Sequence, residues 1–367
     1  MISDFHVKGY RGFKHFELER LSRVNVLVGK NNAGKSSLLE AMQLFATGMA
    51  PRVVQGFAMR RGEIGFGGPT REDGSVEMRH FFFGHQIFDG GKIEFGTWNT
   101  RFETIVAEKP ETVTTSLSEG ETAYNGQFPG ARYVLETTTF EQGSARVPIM
   151  EFYLTSEGLL LAARRNSVKN KAGQSLFLLP DAQSSSMLAE HWNKVFVGNQ
   201  ETSIVEALKI LEPRVQSVAF LPSEQPAAKT LPASIAGIVV GLDGEPTRVP
   251  LGSLGDGMKH VLEIALGVVS MRDGMLLIDE VEAGLHYSAM KGLWRLIIKT
   301  AVANNVQVFA STHSLDCLRG LQVVQEEGMG GAEEIVSIHT INPEFPKATR
   351  YGTKEIPGII KHEIEVR

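Results

Sequence analysis

The sequence is poor in the features that mark secreted, membrane or nucleic-acid-coating proteins. Its 367 residues contain one cysteine, Cys317, which excludes an internal disulfide and fits a reducing compartment. No apolar run is long enough for a membrane span, and the N-terminus has no basic segment followed by an apolar one. The formal net charge is −5, so no overall basic field attracts DNA. We therefore expect a cytoplasmic globular protein with no membrane partner.

Internal repeats and sustained heptads are also missing, which excludes solenoids and long coiled coils. Residues 1–48 have the pattern strand, turn, strand, loop, helix, with Gly48 as the helix stop. Short alternating segments over 49–160 predict an antiparallel β insertion. Residues 161–214 are predicted as a basic loop followed by a helical subdomain. Residues 215–320 alternate strands and helices and complete a nucleotide-binding core with 1–48, while 321–367 form a C-terminal extension.

The stretch from Gly29 to Ser36 matches the phosphate-loop pattern G-x-x-x-x-G-K-S, between an apolar run and a helical pattern. Glycines allow backbone N–H groups to point at phosphate oxygens, and the helix N-terminus adds its positive end. Lys35 is expected to reach the β and γ phosphates of ATP, and Ser36 to hold Mg²⁺. The nucleotide-binding prediction covers Gly29, Asn31, Asn32, Ala33, Gly34, Lys35, Ser36 and Ser37.

Two acids, Asp279 and Glu280, follow the apolar run Met275 to Ile278. In an open α/β sheet, ligands bind at the carboxyl ends of the strands. We therefore expect Asp279 to hold Mg²⁺ and Glu280 to act as the general base toward the attacking water. The alternative is two acids that end a strand and face solvent, which the phosphate loop makes less attractive.

Two further polar strand or helix ends have open interpretations. Ser253, Gly255, Asp256 and Gly257 precede a helical pattern and suit an anion, although Asp256 as a simple N-cap explains the same residues. His313 follows the strand Val306 to Ala310 and could contact the γ-phosphate or the attacking water; the alternative is an ordinary polar strand end.

The order of these motifs resembles that of ABC-type ATPases, specifically the RecF/SMC/OLD (overcoming-lysogenisation-defect) branch. The similarity lies in "ISDFHVKGYRGFKHFELE", "VGKNNAGKSSLLEAM", "SLGDGMKHVLEIAL", "LLIDEVEAGLHYSAM" and "STHS". It implies an α/β fold: an ABC-ATPase head with a mostly parallel core sheet, an antiparallel β subdomain and a helical subdomain. The matching segments cover 1–48 and 186–316.

The resemblance implies that two subunits sandwich ATP and Mg²⁺, with Ser253 and Gly255 of one copy completing the site of the other. It also implies catalytic roles for Lys35, Glu280 and His313, places Arg11 near the nucleotide, and calls for a metal-binding glutamine, for which Gln86 is the candidate.

The sequence departs from the branch in two respects. It has no coiled coil between the phosphate loop and Ser253, and the 53 residues after Ser314 are too few for a Toprim nuclease. We therefore expect an ATPase that acts as sensor or switch for a separately encoded effector, with a nuclease as the leading candidate, in anti-phage defence. DNA or a phage component is a further candidate partner. The alternative is a RecF/SMC-like repair ATPase that clamps DNA; a non-hydrolysing scaffold and a transporter motor fit less well.

Overall fold

The computed structural model describes residues 1–65, 75–108, 131–141, 144–165, 174–180, 185–221, 237–328 and 334–361. Lys169 and Lys171, part of the predicted basic loop, lie outside these ranges, as does the whole polar stretch "SEQPAAKTLP", residues 223–232. No helix in the described ranges has the length and apolarity that crossing a membrane requires.

A six-stranded, mostly parallel sheet forms the centre of the molecule, in the order β16-β15-β3-β14-β13-β9. Only β16 runs antiparallel to its neighbour. Its strands, in chain order, are β3 (Val24–Val28), β9 (Ser175–Leu178), β13 (Met275–Ile278), β14 (Gln307–Ser311), β15 (Val336–Thr340) and β16 (Thr349–Gly352). The three central strands β3, β14 and β13 are almost wholly buried, which explains their continuous apolar sequences.

Successive residues of these strands face two different hydrophobic cores, as the two-residue period of a strand requires. Val26, Val308 and Ile278 belong to one core, whereas Leu27 and Phe309 belong to the other. The first core lies against the helical side and the second against the antiparallel sheet. The central sheet is therefore the layer between two packed faces.

The second core is covered by a seven-stranded antiparallel sheet in the order β2-β1-β4-β5-β6-β7-β8. Its strands are β1 (Asp4–Tyr10), β2 (Phe13–Glu19), β4 (Lys92–Gly96), β5 (Thr100–Glu108), β6 (Tyr133–Glu141), β7 (Val147–Leu154) and β8 (Leu160–Arg165). The predicted antiparallel region therefore also takes in the first two strands of the chain.

The helices are α1 (Lys35–Thr47), α2 (Pro51–Arg61), α3 (Ser185–Val197), α4 (Glu201–Leu208), α5 (Asp256–Ser270), α6 (Met290–Ala303), α7 (Leu315–Glu326) and α8 (Ile356–Lys361). Helices α3 and α4 pack on α5. A three-stranded sheet lies beside α4: β10 (Val215–Phe220), β11 (Ile238–Leu242) and β12 (Val249–Pro250). Gly48 ends α1 in the left-handed conformation, which confirms the predicted stop.

Three elements differ from the prediction. Helix α2 lies in the region predicted as antiparallel sheet, β9 lies in the predicted loop, and the predicted extension contributes β15 and β16 to the central sheet. β9 has only four residues, and α2 begins at a proline and contains a glycine, so neither carries a strong periodic pattern.

Candidate functional site

The phosphate loop connects β3 to α1, as the motif predicts. Gly34 has φ 90°, and a Cβ on it would lie 2.5 Å from the Phe13 ring, so no larger residue fits there. Asn32 also has a positive φ, 65°, which asparagine tolerates better than most residues. Asn31 and Asn32 are exposed at the tip of the loop, while Ala33 is buried beneath them. The loop thus has the wrapped backbone that phosphate binding requires.

Lys35 begins α1 and its side chain folds back over the loop. Its Nζ donates to the backbone carbonyls of Gly29, at 2.7 Å, and Lys30, at 3.0 Å. Burial lowers the pKa of Lys35, and the nearby carboxylates of Asp279, Glu282 and Glu280 act in the opposite direction. The ammonium therefore faces both the loop that would hold phosphate and the acids on the neighbouring strands.

The acids follow β13, which is separated from β3 only by β14. The register pairs Ile278 with Ala310 and Ala310 with Val26, so the three strands end at the same level. Asp279 is buried, whereas the Glu280 side chain is half exposed. Parallel pairing therefore brings the predicted phosphate and metal residues to one edge of the sheet.

Ser311, the last residue of β14, binds both acidic residues. Its Oγ donates to Asp279 Oδ1 at 2.6 Å and accepts the backbone N–H of Glu280 at 2.9 Å. Glu280 has φ 52°, an uncommon value for a residue with a long side chain. Ser311 was not among the predicted site residues, because serine at a strand end is an ordinary residue.

His313 lies near Glu280, but its main partner is a different acid, Glu282. Its backbone N–H donates to Glu282 Oε1 at 3.0 Å, and its Nδ1 lies 3.4 Å from the same oxygen. Glu280 Oε1 is farther from Nδ1, at 4.0 Å. Glu282 is largely buried, whereas the imidazole is half exposed. Glu282 therefore fixes the strand end that carries His313, and only the adjacency of three acids in "DEVE" could have suggested it.

A buried carboxylate on α1 links the phosphate loop to the acids. Glu40 is fully buried and pairs with Arg11 at 2.9 Å, with Arg61 at 3.0 Å and with Arg60. Arg60 Nη1 in turn lies 3.9 Å from Asp279 Oδ2. Three guanidinium groups compensate the desolvated charge of Glu40. These contacts depend on α2, which the sequence analysis did not predict.

Arg11 is placed in this ion-pair cluster and not in the phosphate loop. Its side chain is almost wholly buried, and its guanidinium also binds both carboxylate oxygens of Glu63. The expectation of a nucleotide contact is corrected accordingly, since two carboxylates already compensate the Arg11 charge. Ser37, predicted to bind nucleotide, is buried and accepts a hydrogen bond from Arg61 at 3.2 Å.

Gln86 is exposed, after the short turn Phe83–His85 that leads toward β4. Within the described ranges, the Asp279 carboxylate accepts its hydrogen bond from Ser311 and not from Gln86. The sheet places this loop beyond the end of β1, where Phe82 bridges to Tyr10. Its predicted role as a magnesium ligand is therefore unsupported by the geometry.

The turn from Ser253 to Gly257 precedes α5, as predicted. Gly255 is the N-cap of the helix and Asp256 is its first residue, so the interpretation of Asp256 as a side-chain cap is wrong. Ser253, Gly255 and Asp256 are exposed. Among the described residues, the hydrogen bonds of Lys35 are made to Gly29 and Lys30 and not to these three residues.

Gly257 is part of a backbone contact between this turn and the loop after the acids. A Cβ on Gly257 would lie 2.8 Å from the carbonyl oxygen of Gly284. A Cβ built on Gly284 would in turn lie nearest to the backbone nitrogen of Gly257. The exposed turn and the segment that follows Glu280 are therefore packed directly against each other.

The donor set fits magnesium bound together with nucleotide. Ser36 offers a hydroxyl and Asp279 a carboxylate, both hard oxygen ligands. No group of three or more histidine, cysteine or acidic side chains suited to a metal occurs in the described ranges. Mg²⁺ in phosphoryl-transfer sites needs only one or two protein oxygens, because substrate phosphates and water supply the others.

Comparison with known proteins matches two segments of the chain to family models. Residues 1–61 match a model described as "AAA ATPase domain". Residues 192–318 match one described as "AAA domain, putative AbiEii toxin, Type IV TA system". These segments contain the phosphate loop and the strand ends with Asp279, Glu280 and His313.

Among curated proteins, an ATP/GTP phosphatase of Helicobacter pylori is 23% identical over 383 residues, which cover 96% of each chain. RecF of Nitrosococcus oceani, a DNA replication and repair protein, is 41% identical over 54 residues, 15% of each chain. Among solved structures, an Smc head bound to the C-winged helix domain of ScpA aligns with a TM-score of 0.48 at 13% identity, covering 98% of this chain and 99% of that one. The head domain of Thermotoga maritima SMC aligns with a TM-score of 0.39 at 12% identity, covering 96% of this chain and 99% of that one.

The site geometry, the two AAA matches and the full-length phosphatase relative lead to one conclusion. The chain is an ATPase, with the phosphate loop and the acidic strand ends on one edge of its central sheet.

Proposed function

We propose that this ATPase works as a switch whose ATP sites are completed between two copies of the chain. Lys35 and Ser36 of one copy hold the phosphates and Mg²⁺ together with Asp279, while Ser253 and Gly255 of the second copy close over the nucleotide. The observation that carries the proposal is the turn at Ser253 to Asp256, which is exposed at Ser253, Gly255 and Asp256 and packs through Gly257 against the loop that follows Glu280.

The chemistry of each active-site group follows from its position. Bound Mg²⁺ would neutralise phosphate charge and orient the leaving group. Glu280, half exposed at the strand end, is the group free to accept a proton from the attacking water. Lys35 contributes positive charge at the phosphate loop, and His313, whose backbone N–H is held by Glu282, contributes a donor near Glu280.

Closure between two copies couples hydrolysis to assembly, which is what a switch requires. A phosphate at the exposed turn of one copy would press on the contact between Gly257 and Gly284, and Gly284 lies four residues after Glu280. Binding of the second copy would therefore be connected to the proposed general base through one backbone contact and a short segment of chain.

We further propose that the switch acts on a separately encoded effector in anti-phage defence, in the cytoplasm. One observation supports this: the second family model is described with a toxin of a type IV toxin–antitoxin system, a two-component arrangement.

Complementation between two inactive variants tests completion of the site by a second copy. Glu280→Gln disables the base but keeps the exposed turn, whereas Ser253→Arg blocks the turn but keeps the base. The two variants are co-expressed with different affinity tags, and the mixed dimer purified through both tags has one intact composite site. Before that purification, the co-expressed material should recover about a quarter of wild-type turnover, because half of the dimers are mixed and each mixed dimer has one working site of two.

Each variant expressed alone should stay inactive, and Glu280→Gln alone should accumulate as an ATP-bound oligomer. No recovery in a mixed dimer that binds ATP would overturn site completion by a second copy. Full activity of Glu280→Gln would overturn the choice of general base. Strong stimulation of the wild-type rate by duplex DNA would favour the repair-clamp alternative over the effector switch.

A further inference from the structure

We propose that Ser311 is a positioning residue that holds Asp279 and Glu280 in their working arrangement. The proposal rests on the roles proposed for those two acids. In this proposal the Ser311 hydroxyl fixes both the metal-binding carboxylate and the backbone of the general base.

The hydroxyl of Ser311 has one hydrogen to donate and lone pairs to accept. It donates to Asp279 Oδ1 at 2.6 Å and accepts from the Glu280 backbone N–H at 2.9 Å. Ser311 is fully buried, so water does not replace either bond. The hydroxyl is therefore the link between two adjacent residues that have different tasks.

The bond to Asp279 decides which oxygen is available for metal. Oδ1 is occupied by Ser311, while Oδ2 faces Arg60 at 3.9 Å. A carboxylate held at one oxygen cannot rotate freely, so the second oxygen keeps a fixed direction. Without Ser311 the carboxylate would gain rotational freedom and could turn toward the Arg60 guanidinium.

The bond to Glu280 stabilises an uncommon backbone conformation. A non-glycine residue at φ 52° costs free energy, and such a conformation persists only where surrounding contacts over-determine it. Ser311 supplies one such contact through its side chain. The next residue, Val281, is held by a backbone bond to the Ser311 carbonyl at 3.0 Å. Strand β14 thus fixes the chain on both sides of the general base.

The remaining contacts of β14 do not depend on the hydroxyl. The strand pairs with β13 and β3 through its backbone, and Thr312 N–H donates to the Leu27 carbonyl at 3.0 Å. Removing one oxygen atom therefore leaves the sheet intact and affects the two acids first.

Steady-state kinetics of Ser311→Ala test the proposal. We expect kcat to fall roughly 10- to 100-fold, as for other small displacements of catalytic groups, while KM for ATP changes less than about threefold. The half-saturating Mg²⁺ concentration should rise. Ser337→Ala is the matched control, because Ser337 is equally buried in the same sheet and bonds Asn25 and His339 instead. Its kcat should stay within about twofold of wild type.

A double variant separates positioning from general damage. If Ser311 acts through Glu280, single-turnover hydrolysis by Ser311→Ala/Glu280→Gln should be within about threefold of Glu280→Gln alone. Independent losses that multiply would overturn the link to Glu280, and a Ser311→Ala enzyme with wild-type kcat and melting temperature would overturn the proposal as a whole. Equal losses in Ser311→Ala and Ser337→Ala would do the same. If instead Glu280→Gln alone keeps wild-type turnover, the failure lies in the assignment of the base.

Discussion

The two sides of the ATPase site are formed in different ways, one by backbone geometry and the other by hydrogen bonds of side chains. On the phosphate-loop side, backbone geometry makes the site: Gly34 and Asn32 adopt positive φ, and Lys35 lies on the loop carbonyls. On the acidic side, side chains from neighbouring strands hold one another: Ser311 holds Asp279 and the Glu280 backbone, and Glu282 holds the backbone of His313. One side is local in sequence and the other joins residues 31 or 32 positions apart.

This difference indicates how each side should respond to mutation. A loop that binds through its own backbone depends on a few residues within one short stretch, and its loss is a loss of binding. A set of acids held by cross-strand hydrogen bonds binds little by itself, and its disturbance should appear in the chemical step. The substitutions below test that division, beginning with the largest expected effect.

Lys35→Ala should remove ATP binding and turnover together. The Lys35 ammonium lies over the loop carbonyls, and its loss removes a cation that compensates the phosphate charge, so we expect a reduction of about 100-fold or more. Binding of a fluorescent ATP analogue and phosphate release measure the two quantities. Lys299→Ala, an exposed lysine on α6, is the control. A Lys35→Ala enzyme that binds ATP normally and loses only kcat would contradict the division between the two sides.

Glu282→Ala should reduce kcat without weakening ATP binding. The His313 backbone N–H would lose its acceptor and the imidazole its nearest carboxylate, so we expect a loss on the order of tenfold. Glu282→Gln keeps an oxygen acceptor and should lose less. Measurement of kcat and KM for both variants checks this order. If the alanine variant loses binding instead, the acidic side contributes to affinity and the comparison must be revised.

The smallest effect that we expect is a loss of folding stability at low pH, and it arises on the acidic side of the site. Burial lowers the pKa of His260, whose Nε2 lies 3.2 Å from the Val281 carbonyl and therefore carries the proton. Its Nδ1 is buried without a hydrogen-bond partner. Protonation of the folded protein is thus disfavoured relative to the unfolded chain, in which histidine titrates near pH 6.5.

The direction of the pH dependence follows from the difference in proton binding between the unfolded chain and the folded protein. Below about pH 6.5 the unfolded chain binds a proton that the folded protein resists, so stability decreases as pH falls, by at most about 1.4 kcal/mol per pH unit. Denaturant unfolding of wild type and His260→Gln between pH 7.5 and 5.5 should show a weaker pH dependence in the variant. His15→Gln, an exposed histidine on β2, should behave like wild type. Identical slopes for wild type and His260→Gln would rule out this source.

The same division describes what could be predicted from sequence. The phosphate loop, β3, β13 and β14 were predicted because an apolar run followed by glycines or polar residues is a local pattern. Arg60 and Arg61 were missed because their partner, Glu40, lies a helix away and α2 carries weak helical signals. Arg11 was misplaced for a related reason: its sequence position is near the loop, but two buried carboxylates determine where its charge lies.

The contact between Gly257 and Gly284 has a consequence for the history of this sequence. Two backbones touch there with no side chain between them, and a single added Cβ at residue 257 would overlap the opposite carbonyl. A substitution at residue 257 is therefore tolerated only if the loop around residue 284 changes in the same lineage. We expect the turn before α5 and the loop after the acids to have diversified as one inherited unit, even though 27 residues separate the two glycines along the chain.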